Sequence, residues 1–304
     1  MNLFYSPYLL KKKSHLNARD HSGTQNGVLI KISKGDYWGV ADLCPKPEFG
    51  DNTLENEIKN KGPLFLRALE LAKEDLAART DNKSLLQDKP IENNFLITDY
   101  KSVNLNHEHY RNQTVKIKAD RDILSLSRLL NGAGAEVVIR LDFNSILSAD
   151  EFENFLKLLS SEAVKKIEYI EDPTVFNLKW KSWNIFIPLA FDLQLTEYEP
   201  EYAKYRIIKP SRQKINVSEN FTLTSAMEHP VGLAHALRIS QQHAKNISGF
   251  LTLDLFEPSN FNKYFEQKKN YLNFSARALA LPNLQSDFGI GMSEALDKLQ
   301  WDEL

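Results

Sequence analysis

In the first part of the chain, hydrophobic and polar positions follow a strand pattern at first and a helix pattern after it. Two apolar runs separated by a Gly-Asp pair predict a β-hairpin with strands at Val28–Ile32 and Tyr37–Val40. Two helices are expected next, and the second, Leu64–Arg79, has Leu66, Leu69, Ala72 and Leu76 on one face. The polar stretch 80–92 then predicts a linker. The pattern therefore indicates an α+β domain over residues 1–91.

Beyond the linker, short apolar runs alternate with amphipathic stretches along residues 92–282. The apolar runs predict eight strands, at Asn94–Thr98, Thr114–Lys118, Val137–Asp142, Ile167–Ile170, Ile187–Phe191, Tyr205–Lys209, Thr222–Ala226 and Phe250–Leu253. The amphipathic stretches predict helices at Asp122–Asn131, Ala149–Leu159, Arg212–Asn220 and Val231–Ala244. Such alternation predicts a parallel (β/α) barrel whose reactive groups gather at the carboxyl ends of its strands. The tail, about 283–304, is expected to pack on the first domain.

Composition and charge exclude several classes of protein. The 304 residues suffice for roughly two domains and a large core without disulfides or a structural metal. The chain has 38 Lys and Arg against 40 Asp and Glu, a net charge of −2, so nucleic-acid binding is not expected. The one cysteine, Cys44, cannot form an intrachain disulfide, and no apolar run approaches the roughly 18 residues of a membrane span. We expect a cytoplasmic protein, and the sequence does not indicate its oligomeric state.

Charged side chains end five successive predicted strands, where apolar residues would be usual. They are Lys118, Asp142, Glu171, Asp192 and Lys209. Because parallel strands end at the same edge of a sheet, these side chains are expected to converge. Three carboxylates suit a hard dication such as Mg²⁺. With the ion bound, the two ammonium groups give the cavity a net positive charge, which attracts an anionic substrate.

The lysine at position 118 has the surroundings expected of a general base. Lys116 lies two residues before Lys118, so both side chains project to the same side of the strand. A lysine beside a dication and a second ammonium releases its proton more easily and can then accept one from a substrate. Arg140 and Asp142 share a side in the same way. Arg140 is therefore expected either to hold Lys118 or a substrate carboxylate in place, or to form a structural ion pair inside the barrel.

Six short motifs follow the predicted strand ends in a distinctive order and spacing. They are KIK at 116–118, RLDFN at 140–144, YIEDP at 169–173, PLAFD at 188–192, RIIKPS at 206–211 and SAMEHPVGLAHALRIS at 225–240. Together they resemble the o-succinylbenzoate synthase family within the enolase superfamily. Segments ARD at 18–20, GDYWGVADLCP at 35–45 and FGDNTLENE at 49–57 are similar to the capping domain of that family. The resemblance covers most of the chain.

The resemblance implies a modified barrel with an N-terminal capping domain and a magnesium-dependent dehydratase activity. The implied reaction is syn-dehydration of 2-succinyl-6-hydroxy-2,4-cyclohexadiene-1-carboxylate to o-succinylbenzoate, a step of menaquinone biosynthesis. Mg²⁺, or Mn²⁺ in its place, would bind Asp142, Glu171 and Asp192. Lys118 would carry out the acid/base chemistry, and Lys209 would act on the substrate ring through its charge.

Further residues receive secondary roles. Lys116, Arg140 and Ser225 are candidate substrate-binding residues, and the resemblance places Ser225 near the succinyl carboxylate. Asn144 is expected to support the metal ligands or to be an ordinary loop residue.

Four other functions fit parts of the pattern. N-acylamino acid racemases and dipeptide epimerases of the same superfamily also carry lysines on the second and sixth strands, where they act as opposed bases. A zinc hydrolase could use His107 and His109 with Asp254, although the polar surroundings of the histidines favour an exposed loop. Lys209 could form a Schiff base with a carbonyl substrate, which would leave the three carboxylates unexplained. A non-catalytic barrel would have no need for five chemically competent residues.

Overall fold

A computed structural model of the protein describes residues 1–13, 22–192, 201–215, 220–275 and 288–304. Its N-terminal part contains a four-stranded antiparallel sheet. The strands are β1 (Asn2–Lys11), β2 (Thr24–Lys34), β3 (Tyr37–Leu43) and, from the C-terminus, β14 (Asp302–Glu303), in the order β14-β1-β2-β3. The predicted hairpin is therefore confirmed as β2 and β3, whereas β1 was not predicted.

Two helices, α1 (Leu54–Lys59) and α2 (Pro63–Thr80), follow this sheet. The apolar face of α2 packs on β2 and β3, with Leu71, Ala72 and Leu76 in the shared core. The contact is close because Gly39 has no side chain: a Cβ there would lie 2.1 Å from the carbonyl oxygen of Ala72. The predicted apolar face is thus confirmed at Ala72 and Leu76, whereas Leu66 is 51% exposed and Leu71 is buried in its stead.

Seven parallel strands form the main sheet, in the order β11-β10-β9-β8-β7-β6-β5. They are β5 (Phe95–Ile97), β6 (Thr114–Lys118), β7 (Val138–Asp142), β8 (Ile167–Glu171), β9 (Leu189–Phe191), β10 (Tyr205–Ile208) and β11 (Phe221–Leu223). All seven overlap predicted strands, although β11 shares only Thr222 and Leu223 with the predicted Thr222–Ala226. Their apolar, β-branched runs suit strands that are covered on both faces.

The eighth predicted strand, Phe250–Leu253, is wrong. The backbone N–H of Phe250 donates to the side-chain oxygen of Asn93, and that of Thr252 donates back to Phe250 in a tight turn. These local bonds use the groups that a strand would need for pairing. Ser248 and Gly249, just before this turn, instead make isolated parallel bridges to Asn93 and Thr224 at the two edges of the sheet. The predicted eight-stranded barrel is thus confirmed only as a seven-stranded parallel sheet with an N-terminal α+β part.

Five helices connect or follow these strands in the described residues. They are α3 (Ile123–Asn131), α4 (Ala149–Leu158), α5 (Ser161–Lys166), α6 (Trp180–Phe186) and α7 (Pro230–His243). The predictions of α3, α4 and α7 are confirmed, and α5 and α6 were not predicted. The predicted helix Arg212–Asn220 is wrong over 212–215, which form turns and irregular backbone, and at residue 220; its residues 216–219 lie outside the described ranges.

A small second sheet contains β4 (Ile91–Glu92), β12 (Phe265–Lys268) and β13 (Tyr271–Phe274), and α8 (Ser293–Leu296) lies near the C-terminus. The division of the chain after residues 91 and 282 stays a prediction. Arg79 of α2 donates to the hydroxyl of Ser293 at 3.0 Å and to the carbonyl of Gly291 at 2.9 Å. Among the helices described here, none combines the length and hydropathy needed to span a bilayer.

Candidate active site

The register of the main sheet brings the predicted charges to one edge. Lys118 pairs in register with Asp142, and Asp142 with Glu171. Glu171 lies opposite Ala190, so Asp192, two residues further along, comes at the same edge. A cavity of about 270 Å³ opens there, and its wall includes Lys116, Lys118, Glu171, Asp192 and Lys209. The expectation that side chains from five strands converge is therefore met for four of them, while Asp142 lies just behind the two lysines that contact it.

Lysine ammonium groups pair with each of the three carboxylates. Lys116 Nζ lies between Asp142 Oδ2, at 2.9 Å, and Glu171 Oε2, at 2.6 Å. Lys118 Nζ lies 2.5 Å from the same oxygen of Asp142. Lys209 Nζ contacts both carboxylate oxygens of Asp192. Lys116, Lys118, Asp142 and Glu171 thus form one cluster of alternating charges with Lys116 as its central cation, and Lys209 and Asp192 form a second pair in the same cavity wall.

Burial raises the pKa of Glu171, whereas two neighbouring lysines lower the pKa of Asp142. Burial, and then the charge of Asp142, raise the pKa of Glu171 well above its usual range. Burial also acts to raise the pKa of Asp142, but Lys116 and Lys118 outweigh it and hold that pKa well below its usual range. Two neighbouring buried carboxylates therefore both carry charge only where positive charge lies close to them.

The donor set fits a hard dication. Carboxylate oxygens are the ligands that Mg²⁺ prefers, and Asp142 and Glu171 already share one cation, the ammonium of Lys116. In the part of the chain that the structure describes, no three His, Cys, Asp or Glu side chains are already grouped as a metal cage. Asp142, Glu171 and Asp192 are instead paired with lysine ammonium groups. Ligation of all three carboxylates by one ion thus stays a prediction.

Two loop residues orient the carboxylates through backbone bonds. Asn144 adopts the left-handed conformation, with φ of 49°, and its N–H donates to Asp142 Oδ1 at 3.2 Å. Asn tolerates that conformation better than most side chains do. Asp172, with φ of 40°, accepts a 3.2 Å bond from the N–H of Asp192. The support expected of Asn144 thus comes from its backbone, and Asp172 is a supporting residue that the sequence analysis missed.

Ser225 lines the cavity, but its hydroxyl group is fully used within the protein. It donates to Glu228 Oε2 at 2.7 Å and accepts from Met227 N at 2.8 Å and from Thr252 Oγ1 at 2.9 Å. A hydroxyl has one proton to donate and two lone pairs to accept with. The predicted contact between Ser225 and a substrate carboxylate therefore cannot use this hydroxyl as the donor without breaking an internal bond.

Of the two roles expected for Arg140, the structure shows the structural ion pair. Its guanidinium donates to Glu168 Oε2 at 2.7 Å, to Asn94 Oδ1 at 3.3 Å and to the carbonyl of Ile247 at 2.8 Å. The side chain is 1% exposed and does not line the cavity. Although Arg140 shares a side of β7 with Asp142, it lies two residues away from the reactive edge.

We expect Arg140→Met to lower the free energy of unfolding by about 3 kcal/mol, because Glu168 is left without its cation. The KM of the folded enzyme is expected to stay unchanged. Chemical denaturation and steady-state kinetics measure the two quantities, and Arg128→Met, an exposed arginine of α3, is the matched control. A raised KM with unchanged stability would instead assign Arg140 to the substrate.

A buried acid, Asp42 of β3, joins the N-terminal sheet to the start of α7 beside this cavity. Its Oδ1 accepts from the Tyr8 hydroxyl at 2.6 Å, and its Oδ2 accepts from the His229 backbone N–H at 3.0 Å. Burial, and then the charge of Glu228, raise the pKa of Asp42 to about 8. The ionisable groups around it are Tyr8, Cys44, Lys46, Glu228 and His229.

We expect Asp42→Asn to flatten the pH dependence of stability. Between about pH 4 and about pH 8 the folded protein keeps the Asp42 proton that the unfolded chain has released, so the wild type loses stability as the pH rises. Asparagine keeps the shape but does not titrate. The measurement is the free energy of unfolding across this interval, with Asp36→Asn in the hairpin turn as control. Equal slopes for wild type and Asp42→Asn would contradict the assignment.

The histidines of the zinc alternative lie elsewhere. His107 and His109 are exposed around a short 3₁₀ helix, where His107 Nδ1 accepts a bond from the backbone of His109. The ring of His109 packs against Phe95 and Tyr110. Neither histidine lines the cavity, and neither does Asp254. The expectation of exposed loop histidines is confirmed.

Comparison with known sequences identifies the relatives of the chain. A family profile described as the N-terminal domain of o-succinylbenzoate synthase matches residues 3–78. A curated o-succinylbenzoate synthase from Bdellovibrio bacteriovorus is 29% identical over 342 aligned residues, which cover 100% of this chain and 99% of that protein. The resemblance inferred from the motifs is thereby confirmed.

Comparison with solved structures identifies the fold. A dipeptide epimerase from Cytophaga hutchinsonii, complexed with Mg and D-Ala-L-Val, has a TM-score of 0.73 at 15% identity over 99% of this chain and 98% of that one. An L-Ala-D/L-Glu epimerase from Bacillus subtilis has a TM-score of 0.65 at 16% identity, over 90% and 96%. An o-succinylbenzoate synthase from Thermosynechococcus elongatus, with Mg in its active site, has a TM-score of 0.60 at 16% identity, over 85% and 95%. The fold is that of these enzymes.

Proposed function

We propose that this chain, a relative of the o-succinylbenzoate synthases, is a lyase of the enolase superfamily that dehydrates 2-succinyl-6-hydroxy-2,4-cyclohexadiene-1-carboxylate to o-succinylbenzoate. The proposal includes Mg²⁺ as cofactor, with Mn²⁺ able to replace it, and a place in menaquinone biosynthesis. It also assigns the enzyme to the cytoplasm, which is in keeping with its single cysteine.

One observation carries the proposal: two amino groups from widely separated strands face a cavity that also contains carboxylates. Lys118 ends β6 and Lys209 follows β10, and β7, β8 and β9 lie between these strands in the sheet. Both lysines, together with Glu171 and Asp192, line the same cavity. This arrangement offers a proton acceptor on one wall and a fixed positive charge on another.

Lys118 is the proposed acid and base. With its amine uncharged, it removes the proton from the carbon next to the substrate carboxylate. The ammonium so formed returns this proton to the departing hydroxyl group as the carbon–oxygen bond breaks, and water leaves an aromatic ring. A single group that serves both steps from one face makes the elimination syn.

The other residues stabilise charge. Mg²⁺ held by Asp142, Glu171 and Asp192 would supply positive charge for the substrate carboxylate as the neighbouring proton is removed. The ammonium of Lys209 is proposed to lie over the substrate ring as a cation–π partner. Lys116, buried between Asp142 and Glu171, favours the ionised form of both carboxylates and holds them close together.

A second candidate function is epimerisation of dipeptides or racemisation of N-acylamino acids. The same pair of lysines favours it, since two bases on different walls can exchange the proton of one carbon from opposite faces. Two of the structural relatives described above are epimerases. A dehydratase needs one base, whereas an epimerase needs both.

An ultraviolet assay separates these functions. The purified protein is mixed with the cyclohexadiene substrate and Mg²⁺, and formation of the aromatic product is followed. Dipeptides and N-acylamino acids are incubated in D₂O in parallel, and exchange at Cα is followed by NMR. We expect aromatisation that EDTA abolishes and Mg²⁺ restores, without exchange. Exchange without aromatisation would select the second candidate, and the absence of both would reject each proposal.

A further inference from the structure

Lys46 places a buried ammonium group in the wall of the candidate active site. It lies between β3 and the short 3₁₀ helix Pro47–Phe49 and lines the cavity. The residue is only 6% exposed. Its Nζ donates one hydrogen bond, of 2.7 Å, to Oε1 of Gln25. Within the described ranges Lys46 forms no ion pair, and its ammonium contacts only the neutral amide oxygen of Gln25.

The other cations that line this cavity are paired. Arg212 contacts Asp51, Lys209 contacts Asp192, and Lys116 and Lys118 contact the inner carboxylates. Burial lowers the pKa of Lys46; Cys44 and Glu48 act to raise it and the charges of Arg212 and Lys209 act to lower it, with burial the largest cause. A buried cation is costly unless an anion compensates it. The unpaired charge of the cavity therefore lies at Lys46.

Gln25 connects this ammonium to the loop that follows β11. The Nε2 of Gln25 donates to the carbonyl of Met227 at 2.5 Å, while its Oε1 accepts from Lys46. Lys46 therefore lies beside segment 225–227. The hydroxyl of Ser225 in that segment is already saturated, and the Glu228 carboxylate that accepts its proton would repel an anion. An anion near this segment gains its charge-assisted bond from Lys46 instead.

We propose that Lys46 binds the substrate carboxylate that lies remote from the reacting carbon, the succinyl carboxylate of the proposed substrate. The inference rests on the proposed function and adds a specificity residue from the N-terminal part of the chain. A carboxylate at this position pairs the remaining charge of the cavity. A ligand without it leaves the ammonium buried with its amide partner alone, so the site selects dicarboxylates.

The test compares two ligands with two variants and a control. The ligands are o-succinylbenzoate and its methyl ester at the succinyl carboxylate, with Kd measured by calorimetry in the presence of Mg²⁺. The variants are Lys46→Met, which removes the charge, and Lys46→Arg, which keeps it. Lys59→Met, at an exposed lysine of α1, is the control. KM and kcat for dehydration are measured on the same samples.

We expect Lys46→Met to weaken binding of the dicarboxylate by about 10- to 100-fold, while the ester changes less than about threefold. KM rises more than kcat falls, because the contact is made before and during the reaction alike. Lys46→Arg keeps part of the discrimination, and Lys59→Met behaves as wild type. If the wild type is active but Lys46→Met loses equal affinity for both ligands, or loses none for the dicarboxylate, the inference is overturned and the proposed function is not. A wild type that neither binds nor converts these compounds overturns the proposed function and the inference with it.

Discussion

Lys118→Ala is expected to fold normally and to lose about 10²- to 10⁴-fold in kcat for dehydration, the usual contribution of a positioned general base. The loss arises because Lys118 is the proposed carrier of the proton in both directions. Asp142 keeps its second lysine, Lys116, at 2.9 Å, so the variant does not leave a buried carboxylate unpaired. Steady-state kinetics at saturating Mg²⁺ and circular dichroism measure the two effects.

The control for this experiment is Lys157→Ala, which removes an exposed lysine from α4. It is expected to leave kcat and KM unchanged. Turnover of Lys118→Ala within about threefold of wild type would remove Lys118 from the mechanism and would point to Lys209 as the base.

Asp192→Asn is expected to raise the Mg²⁺ concentration needed for half-maximal activity by about 10- to 100-fold. A neutral amide oxygen is a weaker ligand for a hard dication than a carboxylate oxygen. The substitution also frees the ammonium of Lys209, which adds positive charge beside the ion. The measurement is a titration of activity with Mg²⁺, together with calorimetric binding of the metal alone.

Asp150→Asn, at an exposed acid of α4, is the matched control and is expected to leave the titration unchanged. An unaltered Mg²⁺ requirement in Asp192→Asn would show that the metal binds elsewhere.

Much of the site could be predicted from the sequence because strand ends are visible in it. An apolar run that stops at a charged residue marks the edge of a parallel sheet, and several such runs place their last residues together. Lys118 and Asp142 were predicted as strand ends, and they are in register. The position at which an apolar run gives way to a charged residue thus shows which side chains lie together at the edge of the sheet.

Whether a charged residue before the strand end reaches the reactive edge could not be predicted in the same way. Arg140 and Asp142 share a side of β7, but two residues of a strand span about 6–7 Å. That distance separates the structural pair of Arg140 with Glu168 from the reactive edge. The sequence shows which side a residue faces, whereas its partners depend on neighbouring strands.

Burial of polar groups also depends on distant parts of the chain. Lys46 precedes a proline in a polar segment, where lysines are usually exposed. It is buried because Gln25 of β2 and the loop at Met227 meet around it. One of the three bonds that saturate the Ser225 hydroxyl has the same origin, since Thr252 lies in the tight turn that replaces the eighth strand. Such contacts between remote segments leave no local pattern.

The position of a bound metal tests the account most directly. Crystals grown with Mn²⁺ can be examined by anomalous diffraction, which locates the ion independently of its ligands. We expect one Mn²⁺ at the carboxyl edge of the sheet, with oxygens of Asp142, Glu171 and Asp192 within about 2.3 Å and Lys118 facing the same cavity. An ion bound at another place, or one that contacts fewer than these three carboxylates, would contradict it.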